Sequence, residues 1–394
     1  MDTGNGICAG VRRWAVALVL VLAGCQSGFK PVPLPLGLGP VADPQRHQVL
    51  FATDRALLTQ EQIEARREEN NPDPYGPGRS RTPSYGVGHV VLEPDQKSGG
   101  LVPVLESLDR WDGGSRTFFK QLSQRASGRD VVVFVHGFNN SLREATFRAA
   151  LLAQYLGGSY VPVAYSWPAK QGAGFSFFRD VLGYLADRDA ADWTVRHCRA
   201  FLLRLARADG IRRFHLVAHS TGAAVLTRAL REIRIRKEDF DGKLGRVLLA
   251  APDVDLDVFF DRFIGERAHL LAEQVTVMVS RADPALNVAT RIRASYPRLG
   301  NAPLAELREE PTQRISKMLE SIVLIDVTAI GEQGKAHAYF VESPIVSAQL
   351  VRLFRGHDLD AEPRSAPGLA WLELRPVAPP LRPTDRGRAE PRYR

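Results

Sequence analysis

Cysteine is scarce in this chain, with Cys8, Cys25 and Cys198 the three among 394 residues. They are too few for a disulfide framework and too far apart for a zinc site. Metal-ligand spacings, a phosphate-binding glycine loop and a dinucleotide fingerprint are also missing, so neither a metal nor another cofactor is expected. Lys and Arg outnumber Asp and Glu by 52 to 44, a formal charge of +8. That excess is modest for the length and forms no basic stripe interleaved with aromatics. It argues against a nucleic-acid partner and for a surface or membrane-facing bias. What remains is an ordinary globular composition, 44% hydrophobic and 24% charged. The length suits one large α/β domain with appendages.

The N-terminal segment stands apart. Arg12 and Arg13 precede the apolar run Trp14–Leu22, which is too short to span a bilayer and has the charged-then-apolar order of a secretory signal. The run ends in Leu22-Ala23-Gly24-Cys25, which resembles the lipobox of bacterial lipoproteins. The resemblance implies removal of residues 1–24 as a signal peptide and lipidation of Cys25, which would tie the protein to a membrane. Gln26, where Asp would retain the protein at the inner membrane, implies the outer membrane, facing the periplasm. With Cys25 lipidated, Cys198 has no disulfide partner. Cys198 shares the apolar side of a helical pattern with Phe201, Leu202 and Leu205 and reads as a small buried hydrophobe.

Residues 25–45 carry Pro31, Pro33, Pro35, Pro40 and Pro44 among glycines and read as an extended tether. Residues 56–69 look helical and charged, the Pro- and Gly-rich stretch 71–86 reads as a loop, and Val87–Leu92 reads as a strand. From residue 129, strands and helical segments alternate. The strands are Val131–Val135, Val161–Ser166, Phe214–Ala218, Val247–Ala251, Val275–Ser280 and Ile322–Val327. Their Val, Leu and Ile runs lack polar alternation, as expected of a mostly parallel sheet covered by helices on both faces. Ser141 and Glu144 have capping-box spacing, and Ser343–Phe354 looks like a final helix. Residues 46–355 therefore form one α/β domain. Residues 356–394, rich in Pro and Arg, read as a poorly ordered tail.

The chemistry centres on Phe214-His215-Leu216-Val217-Ala218-His219-Ser220-Thr221-Gly222. An apolar strand stops at a serine flanked two residues away on each side by Ala218 and Gly222, and a helical run follows. This is the shape of a nucleophile elbow, where small flanking residues let backbone pass close to backbone. A nucleophilic serine also needs a base, a group that orients the base, and donors for the oxyanion. The donors are expected to be the backbone N–H groups of Thr221 and of Phe138, the latter in the strand end Val135-His136-Gly137-Phe138-Asn139. His136 reads as support for that loop and not as the base.

These segments, with Phe51–Arg55, Tyr165–Pro168, Ala250–Asp255, Ser280–Leu286 and Ile325–Val327, resemble the α/β-hydrolase superfamily. Within it they resemble a bacterial subgroup of uncharacterised esterase- and lipase-like proteins. The resemblance spans residues 47–355 and implies the α/β-hydrolase fold with a Ser, acid, His chain order. Of His269, His337 and His357, the histidines after Ser220, His337 lies in the loop between the last strand and the last helix and is the expected base. Asp283, at the end of the strand nearest that loop, is the expected acid, with Asp253 the runner-up. Gly172–Phe178, glycines among aromatics, fits either a mobile flap over an acyl pocket or simple packing. The leading expectation is a membrane-tethered serine hydrolase acting on a carboxylic ester or thioester, with a small-molecule or lipid-like acyl substrate. The alternative is a non-catalytic envelope lipoprotein that uses the fold as a binding or scaffolding module.

Overall fold

The computed structural model describes residues 30–68, 73–170, 177–292, 296–304, 322–330, 337–366 and 369–375. The signal-peptide segment, Cys25 and residues 172–176 of the glycine-aromatic stretch lie outside them. Among the described residues eleven strands form one sheet: β1 (Gln45–Leu57), β2 (Tyr75–Pro94), β3 (Leu101–Arg110), β4 (Asp130–Val135), β5 (Tyr160–Ser166), β6 (Phe214–His219), β7 (Leu244–Ala250), β8 (Gln274–Val279), β9 (Ile322–Asp326), β10 (Glu362–Ala366) and β11 (Leu369–Glu373). Their spatial order is β10-β11-β9-β8-β7-β6-β4-β5-β1-β2-β3. From β1 to β9 the neighbours run parallel. The β1–β2–β3 meander and the β10–β11 hairpin are antiparallel.

The unbroken apolar runs are explained by burial on both faces of the sheet. Val131, Val133 and Val135 of β4 pack on one side, and Val132 and Phe134 on the other. Helices Gly114–Ala126 and Thr221–Ile235, with the later part of Phe177–Ala206, cover the first face. Helices Leu142–Tyr155 and Pro344–Arg355 cover the second. Ser141 and Glu144 close the capping box at the start of Leu142–Tyr155, each side chain taking the other's backbone N–H. Pro344 stands in the first turn of the last helix, where its missing N–H costs nothing, and Gly356 ends that helix at φ 72°.

Three expectations are corrected. Residues 31–38 are docked on the body and are not a free tether: Val32 exchanges two 2.8 Å backbone hydrogen bonds with Leu101, and Leu36 N–H donates to Pro344 O at 2.8 Å. The Tyr155 hydroxyl also donates to Pro33 O. Most of 71–86 belongs to β2. Its prolines and glycines are accommodated where the β1–β2 register slips, between Thr53 and Leu57, because bulged pairing relaxes the demand for every N–H. The described part of the tail is packed on the body: β11 pairs with β9 along its edge, and Trp371 and Leu374 are buried. Residues 376–394 lie outside the described residues.

Candidate active site

Ser220 sits between the end of β6 and the helix Thr221–Ile235, at φ 52° and ψ −125°. A left-handed φ at a residue with a Cβ is strained and persists only where the surroundings fix it. Here Ser220 N–H donates to Ala250 O, and Ser220 O accepts from Asp253 N–H. Glycine is required beside it. A Cβ on Gly222 would lie 2.3 Å from His136 O, and one on Gly137 would lie 2.8 Å from Ser220 Cβ. The elbow and the loop after β4 therefore touch backbone to backbone.

Asp283 follows β8 and is fully buried. Its Oδ1 accepts the N–H groups of Ala285 and Leu286 at 2.9 and 3.1 Å, which fixes the carboxylate and leaves Oδ2 for the histidine. His337 Nδ1 donates to Asp283 Oδ2 at 2.7 Å. That bond sets the tautomer and leaves Nε2 as the acceptor. His219 holds the His337 loop over the elbow: its Nε2 donates to His337 O at 3.1 Å, and the two ring centroids are 4.7 Å apart. The structure thus joins Asp283 to His337 and sets His337 against the residue preceding Ser220. Among the described residues no hydrogen bond forms between the Ser220 hydroxyl and His337, whose bonds go to His219 and Asp283.

Burial works against a charged His337, but the Asp283 charge and hydrogen bond, with the Asp253 and Glu342 charges, outweigh it, and the ring's pKa is raised above the ordinary 6.5. His219 lies well below the ordinary value, through burial and then the His337 charge, and stays neutral. If His337 is the base, it must be unprotonated to act. kcat/KM for an ester is therefore expected to fall on the acid side with a midpoint above 6.5. A pH profile whose acid limb is centred below that value would remove His337 from the role.

Thr221 N–H is the first of the helix and has no intrahelical acceptor. Neither it nor Phe138 N–H meets another acceptor among the described residues. Asn139, at φ 54°, turns the Phe138 loop. His136 is fully buried, stacked on Trp167 and bonded to Gly137 O and to the Ser166 hydroxyl. Burial and then the Arg55 charge push it down to about 3, so it is a structural neutral ring. His269 lies in a buried 3₁₀ turn, and His357 is exposed after the last helix.

Asp253 is close to the elbow but does not hydrogen-bond His337. Its Oδ1 is 2.7 Å from Arg298 Nε, and its Oδ2 accepts from the Tyr184 hydroxyl at 2.8 Å. A cavity of about 130 Å³ opens beside Thr221, lined in part by Ala224, Val254, Phe259, Arg228 and Arg298. Arg298, Tyr184 and Asp187 carry no local sequence signal, and His219, though inside the elbow segment, has its partner 118 residues away. Arg55 stands in a segment that resembled the superfamily, but nothing in that segment marked its role.

Sheet, elbow and loop together define an α/β-hydrolase. The chain belongs to the family of alpha/beta hydrolases of unknown function (DUF900), whose sequence model matches residues 113–353. Among solved structures it is similar to a CIB-like hydrolase from Thermoplasma acidophilum (10% identity, TM-score 0.34, 69% of this chain and 93% of that one). Carboxyl esterase 2 from the mycorrhizal fungus Tuber melanosporum is also similar (10%, 0.31, 68% and 79%), as is an esterase from Pyrobaculum calidifontis (10%, 0.31, 90% and 94%). No curated protein matches the chain.

Proposed function

We propose that this protein is a membrane-tethered serine hydrolase that cleaves a carboxylic ester or thioester. Ser220 Oγ attacks the acyl carbon while His337 Nε2 takes its proton. The N–H groups of Phe138 and Thr221 receive the developing oxyanion. The tetrahedral adduct then expels the alcohol or thiol, which takes the proton from His337 and leaves an acyl-enzyme. Water, deprotonated by the same nitrogen, releases the acid and restores the serine. Asp283 keeps the imidazole in the productive tautomer and stabilises its charged form. The observation that carries this reading is the 2.7 Å His337–Asp283 bond beside the left-handed turn at Ser220. A fluorophosphonate probe tests it: labelling should map to Ser220. A folded, purified protein that stays unlabelled favours the non-catalytic binding module.

The tether part of the reading rests on Cys25. Because residues 31–38 are docked on the body, only residues 26–30 would separate a lipidated Cys25 from it, a reach of about 20 Å when extended. Cys25→Ser is expected to move the protein from the membrane fraction to an unprocessed or soluble form. Mass spectrometry of the mature N-terminus checks this, and a mature chain that starts elsewhere or carries no lipid refutes it.

A further inference from the structure

Arg55 is fully buried near the end of β1. A guanidinium has five N–H donors, and here each meets an acceptor. Nε donates to Ser166 Oγ at 2.9 Å. Nη1 donates to Ala169 O at 3.0 Å and Gly76 O at 3.3 Å. Nη2 faces His136 Nε2 at 3.4 Å and donates to Asn140 O. None of these acceptors is a carboxylate. Burying a cation without an acid in contact is unfavourable, and burial draws the guanidinium pKa down to about 10, with the Asp73 and Asp187 charges opposing from a distance. A side chain kept at that cost invites a role beyond packing.

Its partners indicate the role. His136 and Asn140 bracket Gly137-Phe138-Asn139, the segment that carries one of the two oxyanion N–H groups. Ser166 and Ala169 belong to the end of β5 and the loop after it. Asp187 grips the same loops from another side, accepting Lys170 N–H at 2.6 Å and the N–H of Asn139. Ser166 also bonds His136 at 3.0 Å, so Arg55, Ser166 and His136 form one buried cluster behind the loop.

We propose that Arg55 is a positioning residue for the oxyanion site: it fixes the loop 136–140 so that Phe138 N–H meets the developing charge, and it sets a buried positive charge behind that loop. It does not touch substrate, and it acts through Phe138. The proposal rests on the serine-hydrolase reading. Preorganised donors cost no reorganisation when the oxyanion forms, and misaligning one is felt in the transition state more than in substrate binding.

The test compares Arg55→Lys, which keeps the charge but loses the five-donor fork, with Arg55→Met, which loses both. Ser166→Ala serves as a milder third variant should Arg55→Met fail to fold. For the folded fraction, counted by fluorophosphonate titration, kcat is expected to fall about tenfold in Arg55→Lys and about 10²–10³-fold in Arg55→Met, with KM near wild type. Affinity for an alkyl boronic acid, which forms a tetrahedral anionic adduct on the serine, should weaken in parallel with kcat/KM. A smaller loss in the same two readouts is expected of Ser166→Ala. Variants that melt earlier but keep wild-type kcat and boronate affinity overturn the proposal and leave Arg55 as a folding pin. A wild-type protein that neither labels nor hydrolyses overturns the serine reading itself, and this proposal with it.

Discussion

Ser220→Ala is expected to abolish fluorophosphonate labelling and to lower ester turnover by about 10⁶-fold, the scale seen when a nucleophile that works with its base is removed. The elbow offers no substitute. The neighbouring Thr221 hydroxyl points to Asp253 Oδ2 at 3.4 Å, and His337 Nδ1 is committed to Asp283. His337→Ala is expected to cost nearly as much, because without a base the serine hydroxyl stays protonated and weakly nucleophilic. The double variant should be little worse than either single one, since the two groups act as a unit. Single-turnover kinetics with an activated ester measure all three. A Ser220→Ala protein that still shows an acyl burst would move the nucleophile elsewhere.

Asp283→Asn is expected to lower kcat by about 10³–10⁴-fold, because the amide favours the wrong imidazole tautomer and no longer stabilises the charged ring. A second signature separates this from general damage. The Asp283 charge and hydrogen bond are the largest of the effects that hold the His337 pKa above 6.5 against burial. With them gone, only the weaker Asp253 and Glu342 charges oppose burial, and the acid limb of kcat/KM should move to lower pH. Asp253→Asn should behave differently. It removes the carboxylate charge 2.7 Å from the buried Arg298 Nε and leaves only Asp255, 3.5 Å from Nη1, to offset that cation, and a buried cation that loses countercharge destabilises the fold. The expected result is a lower Tm with a smaller move of the acid limb to lower pH than in Asp283→Asn, because the Asp253 charge raises the His337 pKa less than Asp283 does. The opposite ranking of the two variants would give the acid's role to Asp253.

Much of this site was legible because it is local in sequence. The elbow at Ser220, the His136-Gly137 strand end and the capping box at Ser141 each lie within a few residues, and runs buried on both faces are conspicuous in β4 and β6. The choice between Asp283 and Asp253 could only be ordered by position. What separates them physically is Arg298, which lies 45 residues beyond Asp253 and claims it. Arg55 is harder still to read, since its partners lie 21 to 114 residues away. The docking of residues 31–38 and the β10–β11 hairpin are illegible in the sequence for a related reason. Proline and glycine report local chain preference, whereas docking here comes from a few backbone bonds to Leu101 and Pro344 and from the free edge of β9.

The two outermost strands have a consequence for how copies of the protein meet at high concentration. An open sheet exposes unpaired N–H and C=O groups along each rim, and such rims recruit strands from neighbouring molecules. In this protein one rim is β10, where Pro363 offers no N–H and Glu362 and Arg364 form part of a surface ion network with Glu373 and Arg375. The other is β3, where Pro103 interrupts the donor row, Glu106 and Asp109 are exposed, and Val32 covers Leu101 at the strand's start. Both rims therefore discourage a second chain from zipping on. Copies at high concentration should remain separate bodies and not fuse into a continuous β-ribbon.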